Sequence, residues 1–171
     1  MVRAFFPGTF DPIHYGHIDI ATRAVRLFDE LIVAVYDRPL KTLLFSPEER
    51  IALAEEAFAG IPKIRVTGYS SLTVDSCRAA NAQVIVRGLR VFSDFEFEFR
   101  MALANHRLAK DIESMAFITH EEHTFLSSTT VKEIAMLDGD VSSMVPPHVH
   151  LALKTQIKKM GNPDVPNALR D

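Results

Sequence analysis

The sequence predicts an α/β fold: one domain built on a five-stranded parallel sheet with helices on both faces. Two observations carry this expectation. Short apolar runs alternate with stretches of helical periodicity. Capping signals at Ser46-Pro47-Glu48-Glu49, Ser93-Asp94-Phe95-Glu96 and Thr130-Val131-Lys132-Glu133 mark helix starts between those runs.

Residues 2–6 read as the first strand, and residues 16–28 as a helix with Ala21, Ala24 and Phe28 on one face. The unbroken apolar run 31–36 suits a strand covered on both sides. Ser46, with proline at the first helical position, opens a helix to about residue 59. Residues 64–69 form a third strand, in which Arg65 and Thr67 alternate with apolar positions, and residues 73–81 a short helix. A fourth strand covers 84–86, a long helix runs from Ser93 to about residue 110, and a fifth strand covers 115–119. Helices at 129–137 and 147–160 complete a domain of residues 1–160. The polar stretch 161–171, with Pro163 and Pro166, is expected to be a flexible tail. Such alternation makes right-handed βαβ units in a Rossmann-like sheet, with ligands beyond the carboxyl ends of the strands. Residues 9–17, Lys41, 70–73, 87–90 and 120–129 all follow strands.

Composition removes several classes. The 171 residues are 47% apolar and 24% charged, enough for a full core. A net charge of -3 argues against a general nucleic-acid or anionic-membrane coat. The single cysteine, Cys77, excludes an internal disulfide framework and fits a reducing compartment. No apolar run approaches the roughly 18 residues of a membrane span, and residues 2–7 are too short for a signal-peptide core, so a cytoplasmic location is expected.

Three segments could carry chemistry. In Pro7-Gly8-Thr9-Phe10-Asp11-Pro12-Ile13-His14-Tyr15-Gly16-His17, Gly8 and Gly16 permit close approach, and His17 in a first helical turn can donate to a phosphate at the helix N-terminus. His14 shares that site or is one of two surface histidines beside a capped helix. In Val86-Arg87-Gly88-Leu89-Arg90, two guanidinium groups at a strand end suit a polyphosphate, or pair with the acidic run 94–98. Ser127-Ser128-Thr129-Thr130 ahead of a helix offers a second anion site or plain capping. A zinc centre is disfavoured: two histidines need a third ligand, and His120 and His123 are three apart, not four. The chain has neither a P-loop nor a GxGxxG, so a phosphate cradle here is of another kind.

The string at 7–17, with His14-Tyr15-Gly16-His17 as its (T/H)xGH form, resembles the signature of the nucleotidylyltransferase superfamily. Ile18-Asp19-Ile20-Ala21-Thr22-Arg23-Ala24, Arg87-Gly88-Leu89-Arg90, Asp94-Phe95-Glu96-Phe97-Glu98, Phe125-Leu126-Ser127-Ser128-Thr129 and Gly139-Asp140-Val141 resemble the bacterial phosphopantetheine adenylyltransferases. The similarity runs over residues 3–158. It implies conversion of ATP and 4′-phosphopantetheine into dephospho-coenzyme A and pyrophosphate, with Mg²⁺, in coenzyme A biosynthesis by a homohexamer. It implies that Thr9 and Phe10 contact ATP near the α-phosphate, that Thr9 also meets the acceptor phosphate, and that His17 stabilises charge on the transferring group. Lys41 would bind the acceptor phosphate, with Thr73 and Arg87 lining that site. Gly88, Leu89, Arg90 and Glu98 would belong to the ATP site. His123, Thr124, Phe125, Leu126, Ser127, Ser128 and Thr129 would hold the adenine end and the polyphosphate. His17, Lys41 and Arg90 form the implied catalytic set, and the metal takes no assigned protein ligand. Phe97, His123 and Thr129 stand where the family commonly has tyrosine, another aromatic residue and serine.

The residue types agree with such a reaction. The nucleophile is a phosphate oxygen, already anionic at neutral pH, so positioning and charge neutralisation suffice without a general base. The rivals are a nucleotidylyltransferase for nicotinate mononucleotide or a cytidylyl acceptor, a nucleotide-binding regulator without turnover, and an adaptor protein.

Overall fold

The computed structural model describes residues 1–39 and 43–160. Lys41 and the expected tail 161–171 lie outside the described residues. The elements are β1 (Arg3–Gly8), α1 (Tyr15–Ala24), β2 (Glu30–Tyr36), α2 (Pro47–Phe58), β3 (Ile64–Tyr69), α3 (Thr73–Ala79), β4 (Val84–Leu89), α4 (Phe92–Leu108), β5 (Glu113–Ile118), α5 (Ser128–Met136) and α6 (Pro147–Lys159). The five strands are parallel in the order β3-β2-β1-β4-β5, as the alternating pattern requires.

Strand pleat divides the core. Ala4 and Phe6 of β1, Leu31, Val33 and Val35 of β2 and Val86 of β4 face one helical layer, which supplies Ala21 and Ala24 of α1, Phe58 of α2, Val131 of α5 and Val149 and Leu153 of α6. Phe5, Ile32, Ala34 and Ile85 face the other side, against Val74 and Cys77 of α3, Ala109 and Ile112. The chain order reverses direction at β1, between β2 and β4, so the crevice beyond these strands is where a ligand site is expected.

Several boundaries differ from the sequence reading. β4 continues three residues past 86, pairing with β5 as far as Leu89↔Ile118. Arg87, Gly88 and Leu89 are therefore strand residues, and only Arg90 follows the strand. α4 begins at Phe92 after Val91, so the motif at Ser93 does not cap it; Asp94 turns back to Arg90 instead. α5 is capped by Ser127, whose Oγ accepts from the Thr130 amide at 3.0 Å, so Thr130 is a helix residue rather than its cap. α1 stops at Ala24, yet Val25 and Phe28 remain in the core. α3 stops at Ala79 because Asn81 takes a left-handed φ of 53° and closes the end: its amide and that of Ala82 donate to the Arg78 and Cys77 carbonyls. The capping box at Ser46 forms as read, with Glu49 Oε2 accepting from the Ser46 amide at 2.8 Å.

β1 and β2 stay paired from Arg3↔Glu30 to Gly8↔Val35, whereas β1 and β4 pair only at Ala4↔Val84 and Phe5↔Ile85. Beyond Phe5 the two strands part. The chain leaving β1 is then fixed by a buried carboxylate. Asp11 is fully buried, accepts from the Leu44 and Phe45 amides at 2.9–3.1 Å, and receives Lys132 Nζ of α5 at 2.7 Å. Replacing Lys132 by methionine keeps the packing volume but leaves a buried charge unpaired. We expect Lys132→Met to lose about 3 kcal/mol of stability, read as the shift in urea-unfolding midpoint at pH 7. An unshifted midpoint would contradict this account.

Candidate active site

Two helix N-termini, from α1 and α5, meet in the gap left by the parting of β1 and β4. There they bound a cleft of about 340 Å³ lined by Gly8, Thr9, Phe10, His14, Gly16, His17, Arg87, Gly88, Arg90, Ser127, Ser128 and Thr129 among others. Aligned peptide dipoles make both termini favourable to negative charge, although at α1 the Tyr15 and His17 amides already donate to the Met144 and His14 carbonyls. Ser128 Oγ donates to the Pro12 carbonyl at 2.9 Å and locks the start of α5 to the loop after β1.

That loop is shaped by its aromatic residue. Phe10 adopts a left-handed φ of 49°, and the Asp11–Pro12 peptide is cis. The Phe10 ring lies over Gly8 so closely that a Cβ there would come within 2.9 Å of it. The ring then meets Phe6 at 5.6 Å and the edge of the His17 imidazole at 4.9 Å. Gly8 is needed for this approach rather than for a positive φ.

His14 and His17 stack at 3.6 Å between ring centres. His17 Nδ1 accepts from the His14 amide at 3.3 Å, which leaves Nε2 as the proton-bearing nitrogen of the neutral ring. His14 is buried, not a surface histidine, and burial first, then Arg90 and His123, lower its pKa from 6.5 to about 3. It is neutral at physiological pH. Gly16 lies inside α1, and the space a side chain would need there is taken by the His14 ring at 3.1 Å, so this glycine serves the packing of the two histidines.

The arginines pair with the acidic run. Arg87 Nε and Nη2 grip Glu98 at 2.7 and 2.6 Å, and its Nη1 donates to the Pro7 carbonyl at 2.7 Å. Arg90 holds Asp94 through Nε and Nη2 at 3.0 and 3.2 Å and donates from Nη1 to the Leu126 carbonyl at 2.6 Å. Burial would raise the Asp94 pKa, but the hydrogen bonds from Arg90 outweigh it and the net shift is downward. Each guanidinium carries five N–H donors, of which three are engaged in these bonds. The carboxylates therefore orient both cations without exhausting them.

A larger lobe of about 540 Å³ adjoins this cleft and shares Pro7, Gly8, Thr9, Arg87 and Glu98 with it. Its other walls include Tyr36, Tyr69, Thr73, Leu89, Phe95, Phe97 and Met101. Tyr69 Oη and Thr73 Oγ1 lie 3.3 Å apart. Burial is the main cause that raises the Tyr69 pKa, so its hydroxyl stays protonated as a donor.

The structure thus gathers Thr9, Phe10, His17, Arg87, Gly88, Arg90, Glu98, Ser127, Ser128 and Thr129 around one cleft, and places Thr73 and Leu89 on the adjoining lobe. Residues 123–126 do not line either lobe. His123 stacks loosely on Tyr15 at 6.5 Å, Thr124 Oγ1 donates to the Glu121 carbonyl at 2.7 Å, Phe125 is exposed, and Leu126 is a buried core residue that offers its carbonyl to Arg90. The segment is tethered at its start by His120, whose Nδ1 lies 3.1 Å from Asp19. Sequence reasoning did not single out Tyr36 and Tyr69. Both end a strand, so the strand-end rule applied to aromatic residues would have found them. Asp11 and Lys132 lie inside the motif strings but without a role there, and Arg50, which with them frames the site from beneath, is marked by no local pattern.

Comparison with known proteins shows the family and the fold. A family model described as cytidylyltransferase-like matches residues 5–134. A phosphopantetheine adenylyltransferase from Roseiflexus sp. is 53% identical over 154 residues, covering 90% of this chain and 96% of the relative. One from Methylococcus capsulatus is 49% identical over 160 residues, covering 94% and 99%. A crystal structure from Vibrio parahaemolyticus, given as a candidate nicotinate-nucleotide adenylyltransferase, superposes with a TM-score of 0.66 over 90% of this chain and 99% of that one. At 17% identity it speaks for the fold alone.

The neutral, buried His14 has a thermodynamic consequence. Its folded pKa lies below its unfolded value, so the unfolded chain takes up the proton first as pH falls below 6.5. From this group alone, stability should fall by about 2 kcal/mol between pH 7 and pH 5. We expect His14→Asn to flatten the pH dependence of urea unfolding over that interval by about this amount. Parallel curves for both proteins would refute the assignment.

Proposed function

We propose that this chain, which belongs to the cytidylyltransferase-like family and within it to the phosphopantetheine adenylyltransferases, transfers the adenylyl group of ATP to 4′-phosphopantetheine, giving dephospho-coenzyme A and pyrophosphate. One observation carries the site: two lobes, one edged by helix N-termini and arginines and one walled by aromatic side chains, share the wall at Gly8, Thr9 and Arg87. The polar lobe suits a triphosphate. The larger one suits the amphipathic pantetheine arm, with Tyr69 and Thr73 hydroxyls beside its apolar surfaces. The acceptor phosphate then lies at the shared wall, in line with the α-phosphorus.

In this reading His17 Nε2 and the amides of the α1 terminus neutralise charge on the transferring group, and Arg90, with Ser127, Ser128 and Thr129, holds the β- and γ-phosphates. Thr9, Arg87 and Lys41 receive the acceptor phosphate. Gly88, Leu89 and Glu98 frame the nucleotide, and residues 123–126 border its adenine end. Mg²⁺ enters as part of the nucleotide substrate. Asp94 and Glu98, the carboxylates of the cleft, are each engaged by an arginine, so phosphate oxygens are the natural donors to that hard cation.

The same proposal extends to assembly as a homohexamer and to a cytoplasmic location. None of the described helices is long and apolar enough to cross a membrane. α4 contributes no fully buried residue, and its Phe92, Leu103 and Leu108 are exposed, apolar surface that further copies of the chain would cover.

Two measurements test these statements. Pyrophosphate release from Mg-ATP is expected with 4′-phosphopantetheine and not with nicotinate mononucleotide, and His17→Ala should lower kcat by about 10²–10³-fold. Release with nicotinate mononucleotide alone would move the acceptor, and no release with either would overturn the enzyme. Native mass spectrometry is expected to give six copies; a monomer would remove the assembly.

A further inference from the structure

Arg50 is the largest fully buried side chain of the described protein. It projects from α2, and a single nitrogen, Nη1, donates to two carbonyls at once: Thr9 at 2.7 Å and Tyr36 at 2.7 Å. These carbonyls belong to the residues just beyond the last β1–β2 pair, Gly8↔Val35. The guanidinium therefore takes over from the ladder where it ends. Among the described residues its Nε and Nη2 have no hydrogen-bond partner, while Asp11 and Asp37 act on its charge. An apolar side chain here would leave the Thr9 and Tyr36 carbonyls without this donor, so the guanidinium serves the geometry of these two backbone segments.

Thr9 leads directly into the left-handed Phe10, whose ring is clamped over Gly8 and abuts His17. Fixing the Thr9 carbonyl fixes the peptide on which that turn begins. We propose that Arg50 is a positioning residue for adenylyl transfer, clamping the Thr9 and Tyr36 carbonyls so that the Phe10 turn presents Thr9 and the His17 imidazole in their reactive places. Arg50 touches no substrate. It acts through Thr9 and Phe10, and on the acceptor side through Tyr36. The assignment rests on the adenylyltransferase reading above.

The test uses the full chain with Arg50→Lys, which keeps the charge and one donating nitrogen, and Arg50→Gln, which keeps neither the charge nor the reach. Kinetics are taken per folded molecule, well below each variant's unfolding temperature, alongside the His17 ring resonances by NMR. Misplacement by about an ångström costs up to roughly 10²-fold in rate. The expected result is a kcat lowered about 10-fold in Arg50→Lys and about 10²-fold in Arg50→Gln. KM for ATP should stay within about threefold, since the nucleotide contacts remain, and the His17 ring resonances should shift as the Phe10 edge moves. Unchanged kcat with unshifted His17 resonances in a folded Arg50→Lys chain overturns the proposal, as does a rise in KM alone. Should Arg50→Gln fail to fold, Arg50→Lys decides; failure of both makes Arg50 a folding residue only and also overturns it. A wild-type chain inactive on 4′-phosphopantetheine would sink the activity reading, whereas the His17 resonances would still report on the clamp.

Discussion

Pro7 has no amide hydrogen to give to β4, and the site follows from that. The β1–β4 ladder ends at Phe5↔Ile85, while on the other side β1 runs on with β2 to Gly8↔Val35. The freed Pro7 carbonyl is taken by Arg87 Nη1 rather than by a strand. The two strands can then part without leaving a buried acceptor unpaired, a loss worth about 1–3 kcal/mol. The gap so opened is what the N-termini of α1 and α5 edge, and it lies at the point where strand order reverses.

Charge is arranged around this gap in two tiers. Beneath it, Asp11 pairs with Lys132, and Asp11 and Asp37 together act on the charge of the buried Arg50, while Asp11 and Arg50 each also hold a backbone segment. Facing it, Arg87 and Arg90 are held from behind by Glu98 and Asp94. Pairing a cation with a carboxylate lowers the local field, so the positive character of this gap lies in the remaining N–H donors and the helix termini rather than in bulk positive charge. A neutral His14 fits this economy of charge. A positive charge on His14, which stacks on His17 at 3.6 Å and faces Arg90, would add repulsion where one well-aimed donor is enough.

Most of the architecture was legible in the sequence because it rests on local patterns: an apolar run for β2, apolar and polar alternation for β3, and a capping box at Ser46. The errors at two helix starts share a cause. Ser93 and Thr130 carry the same local signature as Ser46, but Asp94 is drawn to Arg90, and Ser127 reaches the Thr130 amide first. Both rival partners lie only three or four residues away, so a competing contact within the same segment set those helix starts. The strand ending at 86 was misread for another reason: Arg87 looks like loop, yet its backbone pairs with β5 while its side chain serves the cleft. The motif string at 7–17 disclosed which residues gather. It did not disclose that Gly16 makes room for the His14 ring, which depends on how that ring is turned, nor that Arg50 lies beneath Thr9, a contact between segments far apart in the chain.

α4 joins the site to the outside of the molecule. One side of it supplies Asp94 and Glu98, which set the directions of Arg90 and Arg87, and Phe95 and Phe97, which wall the larger lobe. Yet α4 buries none of its residues fully within one chain. Within the chain α4 is held by those two ion pairs and by packing on β4, β5 and α3, and it leaves Phe92 and Leu103 exposed. The proposed transfer needs no base to tune and forms no covalent enzyme intermediate, so it would depend on how firmly such cations and donors are kept in place, and a copy covering the exposed face of α4 in the proposed hexamer would help to hold the carboxylates still.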